Sequence, residues 1–252
     1  EYYPARTTIP GEEVFRVEHF TQPGVFKDIS FNLRKGEILG VSGLMGAGRT
    51  EIMRAIFGVD PHESGKLFWH GREIHINKPK DAIDYGFGFV TESRKTEGLV
   101  LDFSIANNIA LPSDSRLAHH FWINGKEEFT FAQKLAIALG VKAMDIRLPV
   151  GTLSGGNQQK VVIAKWLGMD PQLIILDEPT RGIDVGAKKD IYDLMNKLTE
   201  QGVSIIMVSS ELPEVLGMSD RIMVIHEGTV AGILESQGAT QESVITLATG
   251  GK

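Results

Sequence analysis

The 252-residue chain contains no cysteine, which excludes a disulfide framework and any thiolate metal site. A cytosolic setting agrees with that absence, and so do other compartments. No apolar run approaches eighteen residues, so nothing reads as a membrane-spanning helix. Positive charge is not in excess: 26 Lys and Arg stand against 32 Asp and Glu, for a formal net charge of −6. That balance argues against wholesale nucleic-acid binding and leaves room only for a local basic patch. The opening Glu1-Tyr2-Tyr3-Pro4 lacks the basic end and apolar core of a signal peptide, and it lacks an initiator Met. Residues 1–11 are therefore expected to be a linker from an upstream domain, with a processed or tagged end as the alternative. Internal repeats and low-complexity tracts are also missing. What is present is ordinary for a packed globular chain, at 42% apolar and 23% charged residues. The length suits an α/β core carrying an inserted subdomain.

Val14–Phe20, Ser30–Leu33 and Lys66–His70 read as short strands bounded by Gly or Pro. Ile38–Ser42 is an apolar strand that runs into a Gly-rich loop, and Ile52, Met53, Ile56 and Phe57 then share one helical face. Gly86–Val90 reads as a further strand. From 98 to 168 the pattern changes: Phe131, Leu135, Ala138 and Leu139 recur at helical spacing and β-branched runs are scarce, so this stretch is expected to be a helical insertion. Leu173–Leu176, Val203–Val208 and Ile222–Ile225 suit buried parallel strands, and Ile191, Leu194, Met195 and Leu198 mark a crossover helix. Strand–helix alternation implies a parallel sheet covered on both faces. The expected division is an α/β core from 12–97 and 169–252, with an N-terminal antiparallel β layer, and a helical subdomain from 98–168.

Gly43-Leu44-Met45-Gly46-Ala47-Gly48-Arg49-Thr50 has the spacing of a phosphate-binding P-loop. Gly43, Gly46 and Gly48 let backbone N–H groups converge on phosphate oxygens, and the following helix adds its positive end. Thr50 can place a hydroxyl on Mg²⁺. The cation position departs from the pattern: Arg49 stands where a Lys is expected, and a planar fork cannot copy the geometry of a compact ammonium. Farther on, Leu173-Ile174-Ile175-Leu176 delivers Asp177 and Glu178 to the carboxyl edge of the sheet, where ligands bind in doubly wound folds. Asp177 would hold Mg²⁺ directly or through water, and Glu178 would orient or deprotonate an attacking water.

Between these motifs lies Leu153-Ser154-Gly155-Gly156-Asn157-Gln158-Gln159-Lys160. It resembles the ABC signature, LSGGQ, with Asn157 in the last position. Ser154, Gly155 and Gly156 could wrap a γ-phosphate at a helix start. Beyond the motifs, the chain resembles the C-terminal ATPase half of the tandem sugar-importer ATPases, the ribose and galactose group. The likeness runs through Lys35–Ile38, Leu153–Lys160, Asp177–Lys188 and Val208–Ile222, and Gly40–Glu51 with Pro213–Arg221 brings it nearest the ribose type. The resemblance implies a P-loop NTPase fold of the ABC ATPase kind, ATP and Mg²⁺ as cofactors, and a long polypeptide with two such domains. It also implies a membrane permease, an extracytoplasmic sugar-binding protein, and a peripheral place at the cytoplasmic face of the membrane. In this family each nucleotide lies between one domain's P-loop and the other's signature, so the signature here would serve a partner's site. Asp184, in Gly182-Ile183-Asp184, matches the D-loop. Glu92 sits where active members carry the Q-loop glutamine, and Ser210 where they carry the switch histidine; both are degenerate positions, as is Arg49. A permease helix is expected in the groove around Glu92 to Gly98.

Other residues read as structural. Phe20 is the best candidate for adenine stacking, with a core place the stronger reading. His226, before Glu227-Gly228, suits a surface hairpin, and His119-His120 a solvated loop. Trp69, Trp122 and Trp166 read as packing, and Lys188-Lys189 as a solvated helix face. Two rival functions are a nucleotide-sensing domain without turnover and a soluble ABC ATPase acting on nucleic acid. The negative charge and the lack of basic linkers weigh against the second.

Overall fold

The computed structural model describes residues 3–113, 118–119, 122–123 and 125–251. Strands β1 (Glu13–Gln22) and β2 (Phe26–Arg34) form a hairpin, and β3 (Ile38–Gly43) leads into helix α1 (Arg49–Ile56). A second hairpin, β4 (Ser64–Trp69) and β5 (Arg72–Ile74), precedes α2 (Pro79–Asp84) and β6 (Phe87–Val90). A single π-helical turn at Arg94–Gly98 opens the next region. It holds α3 (Ile105–Ala110), the two-residue strands β7 (Ala118–His119) and β8 (Trp122–Ile123), α4 (Gly125–Ala138) and α5 (Gly155–Leu167). The chain then alternates through β9 (Leu173–Asp177), α6 (Val185–Glu200), β10 (Ser204–Val208), α7 (Leu212–Met218), β11 (Arg221–His226), β12 (Thr229–Glu235) and α8 (Gln241–Ala248).

The main sheet has the order β12-β11-β3-β10-β9-β6. Its inner neighbours pair in parallel, and only the β11–β12 edge is antiparallel. A separate antiparallel sheet, β2-β1-β4-β5, forms the N-terminal layer. The period of two along each strand divides the core into two layers. Ile175, Ile206, Val208, Met223 and Ile225 face a cluster with Phe15, Phe31, Met53 and Phe87. Ile174, Leu176, Ile205, Met207, Ile222 and Val224 face another with Val161, Ile191, Tyr192 and Met195. Strands apolar on both faces can only be central strands covered on both sides.

Several boundaries differ from the sequence reading. The strand expected at Lys66–His70 ends at Trp69, because His70 turns the hairpin with φ +48°. Gly86 is a turn residue at φ +80°, so β6 starts one position later. The region 98–168 contains the expected helices and also the β7–β8 ribbon, which two-residue strands hide from any periodicity test. On α4 the buried ridge is Ala132 and Ala136, while Phe131, Leu135 and Leu139 are half-buried and Ala138 is exposed. Small residues let α4 approach α3 closely, and the larger side chains flank that contact.

Residues 3–8 meet the rest of the chain through Tyr3 and Arg6. Arg6 donates to Asp220 at 3.2 and 2.6 Å, and to Asn196 Oδ1 and Thr199 Oγ1 at 2.8 Å each. Asn196 donates in turn to the Ala5 carbonyl at 3.2 Å, and the ring of Tyr3 meets Tyr192 with centroids 5.2 Å apart.

Candidate functional site

Three neighbouring parallel strands, β3, β10 and β9, end at one edge of the sheet, and each delivers part of the site. From β3 the chain enters the glycine-rich loop. A Cβ at Gly43 would stand 2.4 Å from the Ile225 carbonyl, so only glycine lets β3 end this close to β11. Gly48 caps α1 with φ +96°, a conformation that disfavours other residues. Thr50 then sits in the first turn of α1.

Strand β9 brings Asp177 to the edge fully buried. Neither of its oxygens has a hydrogen-bond partner. Burial pushes its carboxyl up to about 7, the nearby Thr50 hydroxyl favours the charged form, and Glu178 and Glu92 oppose it. A buried carboxylate left without partners beside a hydroxyl fits a divalent cation such as Mg²⁺. Among the described residues no group of three or more His, Asp or Glu could hold a metal ion. Glu178 follows in a left-handed conformation, φ +48°, fixed by its N–H donating to the Val208 carbonyl at 2.9 Å. A non-glycine residue held there is strained and depends on its surroundings. Burial raises its carboxyl above the ordinary range, against the Ser210 hydroxyl and Arg49, which lower it.

Strand β10 supplies Ser209 and Ser210. The Ser210 hydroxyl donates to Glu178 Oε2 at 3.0 Å. Arg49 donates from Nη1 to the Ser209 carbonyl at 2.9 Å, and its Nη2 lies 3.9 Å from Glu178 Oε1. The guanidinium is therefore turned down onto the strand ends, with its side chain only 11% exposed. The structure thus brings together Gly43, Gly46, Gly48, Arg49, Thr50, Asp177, Glu178 and Ser210.

Glu92, two residues past β6, contributes to the field at Asp177 and pairs with Arg181. The signature residues form a separate turn. Ser154 is the N-cap of α5, and a Cβ at Gly156 would meet that of Ala187 at 2.6 Å. Asp184 caps α6 by accepting from the Ala187 N–H at 3.0 Å, so it is already engaged within its own chain. Sequence reasoning missed Arg94. Its guanidinium donates to the carbonyls of Arg181 and Gly182, at 2.9 and 3.4 Å, and lies 2.8 Å from where a Gly155 Cβ would be. It ties the π-helical turn to the loop before α6 and to the signature turn. Nothing in the local pattern signals this, because the contacts span 87 and 88 residues and end on backbone carbonyls.

Phe20 is fully buried, stacked on Phe26 and 4.4 Å from the His62 ring, so it is a core residue. Trp69 and Trp166 pack in the core as expected. Lys188 corrects the solvated-face reading: its side chain is 13% exposed and donates to Glu211 at 2.5 and 2.7 Å, while Lys189 is exposed. His226 stands on the β11–β12 hairpin as expected, opposite Thr229, but is half-buried there, its Nδ1 2.8 Å from the Ala248 carbonyl. The readings of His119-His120 and Trp122 concern side chains outside the described residues.

A family model described as ABC transporter matches residues 26–181. The ribose import ATP-binding protein of Bacillus licheniformis is 57% identical over 252 residues, which is all of this chain and 51% of that protein. The proteins of that name from Oceanobacillus iheyensis and Lactococcus lactis are 58% identical, with the same coverage. The chain thus spans about half the length of the curated relatives it matches. Two solved ATP-binding cassettes of ABC transporters share the fold. One, in its ADP conformation, has a TM-score of 0.77 at 20% identity, over 93% of this chain and 94% of that one. The other, nucleotide-free, has a TM-score of 0.78 at 22% identity, over 94% and 95%. With its phosphate loop, acidic strand end and signature turn arranged on that fold, the chain belongs to the ABC transporter family.

Proposed function

We propose that this chain is the C-terminal ATP-binding half of a tandem importer ATPase that energises ribose uptake, with a degenerate nucleotide site of its own and a signature that completes its partner domain's site. The observation that carries the reading is the convergence, at the ends of β3, β9 and β10, of the phosphate loop, the partnerless buried Asp177 and the Glu178–Ser210 pair. The ribose assignment is supported by the identity of over half across the whole chain to proteins named for ribose import.

In this reading Gly43 to Thr50 cradles the ATP phosphates, and Thr50 and Asp177 hold Mg²⁺. The cation would neutralise charge on the phosphates during transfer. Glu178 would orient a water beside the Ser210 hydroxyl and the Arg49 guanidinium, which face its Oε2 and Oε1. Ser210 offers one short hydroxyl where an imidazole would reach farther, and Arg49 is spent on a backbone carbonyl. Both features support slow local turnover, and they also favour the second reading, a nucleotide-sensing domain without hydrolysis. Ser154, Gly155, Gly156 and Asp184 serve the partner domain. The groove around Glu92 to Gly98, exposed at Glu92, Lys95, Thr96 and Glu97, would take a cytoplasmic helix of the permease, with the sugar-binding protein engaged only through that permease. Residues 1–11 would join the upstream domain, and the signature-bearing helices of 98–168 would form the subdomain inserted in the core. No described helix is long and apolar enough to cross a membrane, so attachment to the cytoplasmic face would run through the permease.

Titration of the chain with ATP, with and without Mg²⁺, tests the core of this reading. Binding should strengthen with Mg²⁺, and Asp177→Asn should remove most of that gain. ATP binding indifferent to Mg²⁺ in the unaltered chain would overturn it.

A further inference from the structure

We propose that Asn157 is a positioning residue that sets the direction of the Ser154 hydroxyl proton. The proposal rests on the reading of Ser154 as a contact to the partner domain's nucleotide. The argument starts from a backbone donor. The Lys142 N–H donates to Asn157 Oδ1 at 2.8 Å. A backbone N–H can only donate, so the amide orientation is decided: Oδ1 faces Lys142 and Nδ2 faces the other way. Nδ2 then donates to Ser154 Oγ at 3.0 Å. Because Oγ accepts there, its own proton points elsewhere. Among the described residues that O–H has no acceptor, and Ser154 is exposed.

The arrangement differs from an ordinary helix start. Ser154 is the N-cap of α5 and Asn157 stands three positions later, yet the Ser154 side chain accepts no backbone N–H of its own helix. An N-cap serine normally satisfies one of the first-turn donors. Here the side chain of the third residue takes up Oγ instead. The first-turn N–H groups of α5 and the Ser154 O–H are all left as donors, the complement of an anionic phosphate. The anchor is itself held. Lys160 Nζ donates to the Gly140 carbonyl at 3.2 Å and to Asp190 at 2.7 Å, and Val141 N–H donates to Ala136 O at 2.9 Å. The turn that carries Lys142 is thus fixed to the end of α4 and to α6, and Asn157 relays that fixity to the hydroxyl.

The test is a double-substitution cycle in the full transporter, read as the ATP concentration for half-maximal turnover. With Ser154 present, Asn157→Ala should raise that concentration about fivefold, the loss expected for one misdirected hydrogen bond. In a Ser154→Ala background Asn157→Ala should add nothing. Asn157→Asp keeps the size and still accepts from Lys142, but it forces the serine to donate inward. It should raise the half-maximal concentration at least as much, while its melting temperature holds or rises, because an acid in the first turn favours the helix. The part of its effect that survives in Ser154→Ala is charge repulsion alone. Equal effects of Asn157→Ala in both backgrounds would overturn the positioning role and leave the signature reading standing. A Ser154→Ala transporter with unchanged ATP dependence would overturn both.

Discussion

A guanidinium at position 49 demands more of its surroundings than an ammonium would. Its fork must find acceptors in a plane, and here they are the Ser209 carbonyl and, at longer range, Glu178. Both belong to strand ends that an incoming γ-phosphate would approach. Nucleotide binding at this loop therefore competes with contacts inside the chain. Arg49→Lys removes the fork and leaves a compact charge able to turn toward phosphate. Calorimetric titration should show MgATP binding tightened by roughly 1 kcal/mol, about the net worth of one hydrogen bond. Weaker binding by the variant would show that the fork itself grips the nucleotide. The Arg49 substitution was legible in the sequence as an anomaly of the loop pattern. Its partner was not, since a carbonyl 160 positions away leaves no mark on residue identity.

At the scale of elements, the strand ends were the easiest part to read. Four apolar residues followed by two acids can hardly be anything but a buried strand reaching an edge, and β9 has that form. The β7–β8 ribbon, the tie made by Arg94 and the direction in which α4 buries its alanines depend on tertiary contacts that periodicity does not encode. Helix α5 shows the same limit. Lys165 belongs to a residue type seldom buried, yet it is 8% exposed, and its Nζ donates to the Gly98 carbonyl at 2.6 Å. Burial lowers its ammonium to about 8, from 10.5 in the unfolded chain. Between those values the unfolded state binds more protons than the folded one, so stability rises with pH through that window and is lowest below it. The cost at neutral pH is on the order of 3 kcal/mol at most. Lys165→Met should flatten the rise between pH 8 and 10.5 in urea unfolding, relative to the unaltered chain. An unchanged slope would mean that the ammonium is better solvated than its burial indicates.

On the scale of the whole molecule, the chain presents two surfaces of unequal quality. Its phosphate-loop side has an arginine turned inward and a serine where reach is needed. Its signature side is supported on every flank, by Asn157 and Lys142 at the hydroxyl, by Arg94 behind Gly155, and by Ala187 against Gly156. Phosphoryl transfer relies on positioning and charge stabilisation acting together. On the proposed function, a site with Glu178 in place but poor reach from Ser210 should therefore be slow, whereas the signature surface should serve a partner domain's site well. Two variants of the full transporter separate these contributions. Ser154→Arg puts a long cation into the signature turn, where the first-turn donors of α5 would meet phosphate, and should abolish both ATP turnover and uptake of labelled ribose. Glu178→Gln removes the carboxylate from the weaker site and should leave a substantial fraction of turnover. Each is measured as phosphate release by the reconstituted transporter, beside an unaltered control of matched thermal stability. Residual turnover in Ser154→Arg combined with a dead Glu178→Gln would reverse the division, and would place the working site on this chain's own phosphate loop.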